Sequence, residues 1–530
     1  MNFGTHEQLV LLALLLAVAA LLVAAPMLRV PYPIFLVLGG LALGFVPGIP
    51  TLELPPDVVL VAVLPPLLYS SAFFTSLRDL RQNKRSIGIL AIGLVVATMV
   101  AVAVVAHSAV DGMSWSAAFV LGAVVSPTDP IAATAIMRRL GVPRRVVAVV
   151  EGESLVNDGT GLVLYRVAVT AAVTGTFSFW EASWRFLWNV AGGIAIGLAV
   201  GWLVAGVRRR LDNPPVEITI ALMTGYVAFI PANAAEASGV LATVTAGIYL
   251  GWRTPELTSV QTRLQGIAVW EILVFVLNAL LFALVGLQLS SILDALTGFS
   301  AGELIWYGLL VTGTVVLTRL VWVPVFTYVP QWIFRRLGER APAPPFSQSM
   351  VISWSGMRGA VSLAAALAIP LTTDAGPAFP ERDLIVFLAF VVILGTLVVQ
   401  GLSLPLMIRA LPIEFDHLDE KEDAKARIHA AEAALARLEE LLEEDWVRED
   451  TAERLRGLYN FRRNRFRSRF DAESDGGIEE RSQNYQRLRR ELLEAERAAI
   501  VDLRRNGVIN DDAMRRLQRD LDLEDARLDV

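Results

Sequence analysis

The chain has 530 residues, of which 55% are hydrophobic and only 18% charged, with a formal net charge of −6. Soluble domains contain about 25% charged residues, so this composition indicates a membrane protein, and the negative charge disfavours a nucleic-acid partner. The lack of cysteine excludes disulfides and thiolate chemistry, and four scattered histidines offer no zinc or haem site. No nucleophile–histidine pair or metal-ligand cluster is present in the sequence, so neither an enzyme nor a cofactor is predicted.

The charges are distributed very unevenly along the chain. Residues 411–530 contain 23 of the 46 basic and 31 of the 52 acidic side chains. Charged residues therefore make up roughly 45% of this segment but roughly 11% of residues 1–410, a shift that marks a domain boundary. The sequence predicts a transmembrane domain over residues 1–410 and a charged, helical, cytoplasmic tail over residues 411–530.

Apolar stretches recur almost end to end through the first 410 residues. A membrane-crossing helix needs about 20 apolar residues, and we count about thirteen such spans. They are 8–28, 31–49, 56–77, 86–106, 115–137, 146–173, 185–207, 216–231, 236–252, 266–289, 303–329, 349–370 and 384–408. The predicted fold class is an all-α polytopic membrane protein.

Basic residues concentrate in alternate connections between these spans. They are Arg29, residues 78–85, 138–145, 208–210, 253–263 and 335–340, and Arg409. Because positive charge stays on the cytoplasmic side, this pattern places the N-terminus outside and the tail in the cytoplasm.

Two spans contain helix-breaking residues at their middles. The fifth contains Ser126-Pro-Thr-Asp-Pro130 and the twelfth contains Ser353-Trp-Ser-Gly-Met-Arg-Gly359. Unwound backbone is tolerated in a membrane only where protein or water satisfies it. Proline and glycine are common in membrane helices, but two charged breaks seven spans apart favour inverted repeats of six helices, as in secondary transporters.

The sixth span carries the densest set of ionisable residues, Glu151-Gly-Glu-Ser-Leu-Val-Asn-Asp-Gly-Thr160. A charge at mid-membrane costs at least about 2.5–3.5 kcal/mol, so such residues are functional candidates. Ser154 and Asp158 lie on one helical face, beside a row formed by Glu153 and Asn157. With Thr128 of the fifth span they form an oxygen-only set, which suits Na⁺.

Asp158 can bind either a proton or a monovalent cation, because burial favours the neutral form of a carboxyl group. Competition for one carboxylate is already an exchange mechanism, in which Na⁺ and H⁺ are transported substrates. The alternative is that Asp158 forms half of a buried ion pair.

Other charges within the spans have architectural explanations. Arg319 in the eleventh span needs a buried acid, and Glu153 is our first choice. Asp129 and Arg358 lie at the two breaks, where they can compensate the ends of half-helices. Glu236, at the start of the ninth span, is either a second pathway carboxylate or an outer-surface residue.

These segments resemble the bacterial monovalent cation:proton antiporter-1 family, relatives of the archaeal and animal sodium/proton exchangers. The resemblance spans residues 8–410 and rests on Ser126-Pro-Thr-Asp-Pro-Ile-Ala-Ala133, the 151–160 segment, Ala235-Glu-Ala-Ser-Gly-Val-Leu241 and Gly356-Met-Arg-Gly-Ala360. It implies electroneutral exchange at the Asn157–Asp158 pair, with Asp158 as the carrier, and a homodimer with a dimer-forming domain and a moving core domain. It also makes Thr128 and Ser154 cation ligands and pairs Glu153 with Arg319.

One position departs from the family pattern. Several members carry an acidic residue four positions after the second proline of the third span, and Ser70 stands there in this chain. The predicted function is sodium/proton antiport by alternating access in the inner membrane, with potassium/proton or mixed-cation exchange as the alternative.

The tail offers less specific signals. Ile428, Leu435 and Leu442 fit a heptad pattern of under three repeats, which suggests a dimer contact only weakly. The arginine-rich segment 462–469 fits either anionic lipid or a solvated helix face. A membrane sensor that signals through this tail is the alternative from another class, although the tail has no phosphate-binding glycine-rich loop.

Overall fold

The computed structural model describes residues 5–27, 31–46, 58–176, 178–294, 296, 298–336, 344–374, 376–413, 418–468, 478–526 and 528. Every named element in these ranges is helical, and an isolated bridge joins Thr372 to Ala378. The chain divides into two compact units, Met1–Phe415 and Asp416–Val530, and each is described by itself.

The first unit contains eighteen α-helices in the described ranges. They are α1 Thr5–Met27, α2 Tyr32–Gly44, α3 Leu64–Phe74, α4 Leu77–Gly88, α5 Val95–Ala109, α6 Trp115–Val125, α7 Ile131–Arg139, α8 Arg144–Thr174, α9 Phe179–Arg208, α10 Pro214–Ala234, α11 Gly239–Leu257, α12 Val260–Leu287, α13 Leu289–Asp294, α14 Ala301–Arg336, α15 Phe346–Trp354, α16 Ala360–Leu367, α17 Arg382–Gly395 and α18 Gly401–Ala410. Short π-helical segments, Val58–Val63, Ile89–Leu94 and Thr396–Gln400, precede α3, join α4 to α5 and join α17 to α18.

Six helical segments of the described residues are long and apolar enough to cross a membrane. They are Leu77–Ala109, Ser183–Arg208, Pro214–Ala234, Val260–Leu287, Ala301–Trp332 and Arg382–Ala410. Shorter apolar helices include Tyr32–Gly44 and Trp115–Val125. α8 has 31 residues, but its charged side chains lower its apolar character. The unit is therefore a multi-pass helical membrane protein, as the composition predicted.

Several predicted boundaries differ from the observed helices. The basic segment 78–85, expected in a connection, lies within α4, which runs through the π segment into α5. The reason is local: the Ser76 hydroxyl accepts a hydrogen bond from the Asp79 amide and so caps α4 before the basic residues begin. Residues 28, 47–49 and 56–57 of the predicted spans, as well as Arg29 and residues 337–340, lie outside the described ranges.

Both predicted helix breaks are present. Residues 126–130 separate α6 from α7, and residues 355–359 separate α15 from α16. α8 packs directly against the first break. The contact at Gly161 is so close that a Cβ atom there would collide with the Pro127 ring. The main hydrophobic core, which includes Leu121 of α6 and Phe390 of α17, packs around this region. The breaks thus lie within protein, where unwound backbone is tolerated in a membrane.

The second unit contains α19 Leu418–Leu441, α20 Glu449–Ser468, α21 Ile478–Arg505 and α22 Asp511–Ala526. α19 packs against α20 and α21 against α22. Ala431 and Leu438 of α19, which lie between the heptad positions Ile428, Leu435 and Leu442, are buried inside this unit. Arg467 of the arginine-rich segment pairs with Glu432 of α19 at 3.1 Å, and Arg469 lies outside the described residues.

A candidate cation site where two interrupted helices cross

The two helix breaks touch each other through their backbones. The Asp129 amide donates a hydrogen bond to the Met357 carbonyl at 2.8 Å. The Asp129 carboxylate accepts one from the Ile131 amide at 2.9 Å, at the N-terminus of α7. A carboxylate at this end of a helix opposes the positive pole of the helix dipole. Asp129 therefore lies where charge compensation would require it.

Arg358 supplies the opposite charge at the same crossing. Its Nε donates to the Val125 carbonyl at 3.0 Å, at the C-terminus of α6, and Nη1 donates to the Gly356 carbonyl. Its own amide donates to the Thr396 hydroxyl at 3.1 Å. The side chain is fully buried, so these carbonyls replace water around the guanidinium. The broken ends of the two half-helices are thus held by one acid and one base.

Two glycines make room for these charges. A Cβ atom at Gly359 would collide with the Asp129 carboxylate, and one at Gly356 would collide with the Arg319 side chain. Glycine at both positions lets the second break approach its charged neighbours closely. This explains why glycines flank Arg358 in the sequence.

Glu153 and Arg319 form a buried, two-pronged ion pair. Nη2 of Arg319 donates to Oε2 of Glu153 at 2.7 Å, Nη1 donates to Oε1, and Nε donates to the Ile352 carbonyl at 3.0 Å. The two side chains are at most 1% exposed. Paired geometry of this kind is the strong form of a charged hydrogen bond. The contact between α8 and α14 that the sequence analysis expected is present.

Thr128 extends this pair into a chain of hydrogen bonds. Its hydroxyl donates to Oε1 of Glu153 at 3.1 Å and accepts from the Asn157 amide at 2.8 Å. Asn157 is fully buried and is absent from the residues that line the cavity next to it. The structure therefore separates Asn157 from the other predicted cation ligands, because it lies one turn beyond Glu153 on the same row of α8.

Asp158 faces a small cavity of about 80 Å³. Ser154, Thr128 and Asp129 line the same cavity, together with apolar side chains such as Leu155 and Phe282. This volume exceeds the ~10–15 Å³ needed for one water, so a cation with a few waters fits. The three predicted Na⁺ ligands thus share one space.

Asp158 has no ion-pair partner among the described residues. The residue is 8% exposed and lines a cavity with mostly apolar walls. No described basic side chain supports the alternative that Asp158 is half of a buried ion pair. The arginines that the sequence placed nearby are held elsewhere, Arg319 by Glu153 and Arg358 by backbone carbonyls.

Sequence reasoning missed three polar residues that line this cavity: Ser71 of α3, Asn278 of α12 and Ser362 of α16. The signal for Asn278 was available, since it is an amide in the middle of the predicted tenth span. Ser70, which replaces the family's acidic residue, donates to the Leu67 carbonyl at 2.9 Å and does not line the cavity. The serine of α3 that lines the cavity is its neighbour Ser71.

Glu236 lies away from this cavity. It is exposed, has a positive φ of 55° at the turn between α10 and α11, and lines a separate cavity of about 890 Å³. Arg166 lines that second cavity too and donates to the Asn233 side chain at 2.8 Å. Glu236 thus lies at an exposed position of this unit, and its role, as a second pathway carboxylate or an outer-surface residue, stays a prediction.

The arrangement of these helices defines a class of protein. Interrupted membrane helices that cross at a buried carboxylate are typical of secondary transporters. The model of the family described as "Sodium/hydrogen exchanger, transmembrane" matches residues 11–410. The chain belongs to the sodium/hydrogen exchanger family.

Relatives support this assignment over most of the chain. It is 39% identical over 525 residues to an uncharacterized Na⁺/H⁺ exchanger of Mycobacterium tuberculosis, covering 98% of this chain and 96% of the relative. It is 34% identical over 389 residues to the sodium, potassium, lithium and rubidium/H⁺ antiporter of Bacillus subtilis, covering 71% and 58%. It is 31% identical over 445 residues to the low-affinity Na⁺/H⁺ antiporter of Synechocystis, covering 83% and 81%.

A solved structure shows the same fold. The sodium proton antiporter of Methanocaldococcus jannaschii, solved at pH 8, superposes with a TM-score of 0.61 at 18% identity, covering 76% of this chain and 99% of that one. The family model and the relatives confirm the resemblance and the predicted class of function, cation/proton antiport. The roles of individual site residues stay predictions.

Proposed function

We propose that the chain exchanges one Na⁺ for one H⁺ across the membrane, with both ions competing for the Asp158 carboxylate. The observation that carries this proposal is the missing counter-charge: no described basic side chain pairs with Asp158. Na⁺ would bind Asp158 with Ser154 and Thr128, which line the same cavity. The oxygen-only lining suits a hard cation.

The formal charges around the crossing favour equal stoichiometry. Glu153 is balanced by Arg319, and the opposite charges of Asp129 and Arg358 lie at the same crossing. Asp158 then leaves one net negative charge, which either one proton or one Na⁺ neutralises. The two loaded states carry equal charge, whereas the empty state keeps a buried charge that is costly to move. Exchange would therefore be electroneutral and tightly coupled.

Alternating access would move this site between the two sides of the membrane. We propose the full arrangement predicted from the sequence: about thirteen spans, inverted six-helix repeats, an external N-terminus and a homodimer in the inner membrane. Residues 1–410 form the antiporter domain and 411–530 the cytoplasmic tail. The crossing of the breaks in the fifth and twelfth spans supports the repeats, since inverted repeats bring such breaks together.

The topology can be tested by single-cysteine labelling, because the natural chain has no cysteine. Asp111 precedes α6 and Asp212 precedes α10, and both are exposed in connections. With an impermeant maleimide on intact spheroplasts, we expect the D111C variant to react and the D212C variant to react only after lysis. The opposite pattern would overturn the proposed orientation. Crosslinking at increasing dilution in the membrane tests the homodimer.

Transport itself is tested by the Asp158→Asn variant in proteoliposomes. We expect loss of Na⁺-driven proton movement, because the amide can neither release a proton nor neutralise a cation. Asp111→Asn removes the same charge from an exposed connection and should leave transport unchanged. Wild-type exchange should not depend on an imposed voltage; strong dependence would reject one-for-one stoichiometry.

A mixed-cation exchanger is the second candidate. The relative in Bacillus subtilis is named for sodium, potassium, lithium and rubidium, and hydroxyl and carboxylate oxygens can ligate each of these ions. Parallel measurements with Na⁺, Li⁺, K⁺ and Rb⁺ in the same proteoliposomes decide between the two. Proton movement driven by K⁺ at a similar apparent affinity would favour the mixed exchanger.

A further inference from the structure

Another large cavity lies in the first unit, apart from both the cation site and the cavity lined by Glu236. It has a volume of about 660 Å³, within the usual range for small-molecule sites, and shares no lining residue with the Asp158 cavity. The end of α3, the start of α4, the end of α9, α10, the end of α11 and the start of α12 form its walls. We call it the arginine cavity, after the four arginines that line it.

The lining of the arginine cavity has a single sign of charge. Arg78 and Arg81 lie three residues apart on α4, Arg208 ends α9, and Arg263 lies in the first turn of α12. No aspartate or glutamate appears among its described lining residues. Four converging guanidinium groups create a strongly positive site, which favours an anion.

Arg208 is the unusual member of this set. It is 3% exposed, and its Nη2 lies 4.0 Å from the Glu217 carboxylate, at the outer limit of an ion pair. Nε and Nη1 have no hydrogen-bond partner among the described residues. A buried guanidinium with two unused donors is costly unless an acceptor reaches it. Arg208 is also one of the residues that line the cavity.

Glu217 is held by a different partner, a hydroxyl on the cavity wall. Its Oε1 accepts a hydrogen bond from the Thr262 hydroxyl at 3.3 Å, and Thr262 lies on the cavity wall. Arg263 donates to the Thr258 carbonyl at 2.7 Å, which fixes its side chain beside the cavity. The protein therefore positions Arg263 before any ligand binds, which reduces the entropic cost of binding.

The other walls are apolar. Phe73, Ile218 and Trp270 line the interior, whereas Phe74 and Trp252 are more than half exposed at its edge. Exposed aromatic side chains beside arginines are typical of the membrane interface. The cavity thus combines a charged part with an apolar part that reaches exposed aromatic side chains.

We propose that the arginine cavity binds a phosphate group, and that its natural source is the headgroup of an anionic phospholipid whose acyl chains follow the apolar wall. Guanidinium groups bind phosphate in a two-pronged geometry, and basic pockets between membrane helices on the cytoplasmic side recognise such headgroups. Arg208 would be the central ligand, with Arg78, Arg81 and Arg263 around it.

Binding is tested on the purified full-length protein by native mass spectrometry and thermal unfolding. The probes are phosphatidylglycerol, zwitterionic phosphatidylcholine and inorganic phosphate. We expect phosphatidylglycerol alone to be retained and to raise Tm, because a ligand of the folded state stabilises it. Each arginine replaced should lower the retention of phosphatidylglycerol about five-fold, the binding contribution of one basic residue near an anionic membrane surface.

Arg208→Gln and Arg81→Gln are the diagnostic variants, and Arg210→Gln is the matched control. Arg210 is exposed two residues beyond Arg208 and does not line the cavity. If Arg208→Gln fails to fold, the Arg81→Gln/Arg263→Gln double variant replaces it, and the proposal is judged by its retention of phosphatidylglycerol. Equal retention of both lipids, or retention unchanged in the diagnostic variants, would overturn the proposal.

Inorganic phosphate separates the two sources of the phosphate group. If inorganic phosphate raises Tm only when Arg208 and Arg81 are present, and phosphatidylglycerol neither raises Tm nor is retained, the phosphate site stands and the lipid source is rejected. The measurement detects binding and not transport, so its result is independent of the role assigned to Asp158.

Discussion

Two adjacent rows of polar side chains run along α8 and differ in their surroundings. In one row, Glu153 is held by Arg319 and Thr128, and Asn157 donates to Thr128. In the other, Ser154 and Asp158 face a cavity, and no described basic group pairs with Asp158. This difference suggests a division of roles. The charge of Glu153, neutralised by Arg319, stabilises the site, whereas the unpaired charge of Asp158 remains for the transported ion.

The neutralised row should matter most for folding. Glu153→Gln leaves Arg319 buried without its partner, and we expect a loss of about 3–5 kcal/mol in the free energy of unfolding. The matched control is Glu151→Gln on the same helix, whose ion pair with Arg138 is exposed. That variant should lose no more than about 1 kcal/mol.

The measurement is thermal unfolding in detergent, extended to a double-mutant cycle with Arg319→Gln. We expect the double variant to lose less stability than the sum of the two single variants, because neither charge is then left unpaired. Additive losses would contradict a direct energetic coupling between Glu153 and Arg319.

Thr128 bonds to Glu153 and Asn157 and also lines the Asp158 cavity. Its replacement should have the second-largest effect, a weaker binding of the cation. Thr128→Ala removes an oxygen from the cavity and leaves the Asn157 amide without its acceptor. Each lost partner of a buried polar group costs about 1–3 kcal/mol, so the apparent KM for Na⁺ should rise roughly ten-fold or more. Thr128→Ser keeps the hydroxyl and should stay close to wild type in the same transport assay. Equal behaviour of the two variants would remove Thr128 from the site.

The smallest expected effect on Na⁺ affinity comes from a comparison of two neighbouring serines of α3. Ser71 lines the Asp158 cavity, whereas Ser70 bonds to its own helix. Ser71→Ala should raise the apparent KM for Na⁺ about two- to five-fold, the net value of one hydrogen bond, and Ser70→Ala should leave it unchanged. An effect of Ser70→Ala alone would mean that the family's acidic position acts in this chain through Ser70.

The sequence was sufficient for the parts of the structure that follow from local chemistry. Paired proline and glycine breaks predicted the interrupted helices, and a lone mid-membrane arginine required an acid, which the structure supplies in Glu153. The start of α4 was misplaced because a single serine cap turns a basic segment into helix.

Contacts between distant segments could not be predicted. Asn278, Ser71 and Ser362 meet at one cavity only because α12, α3 and α16 pack around the crossing, and no periodicity in the sequence encodes that convergence. The buried state of Arg208 was missed for a similar reason, since positive charge near a span end normally indicates a solvated connection.

The central claim is that Na⁺ and H⁺ compete for Asp158, and the pH dependence of Na⁺ affinity tests it most directly. Initial rates of Na⁺-driven proton movement in proteoliposomes should be measured over a range of Na⁺ concentrations at several pH values. Competition predicts that acidification raises the apparent KM for Na⁺, by up to about ten-fold per pH unit, while the maximal rate at saturating Na⁺ stays constant. A maximal rate that falls with acidification at constant KM would place the proton on another group and contradict the account.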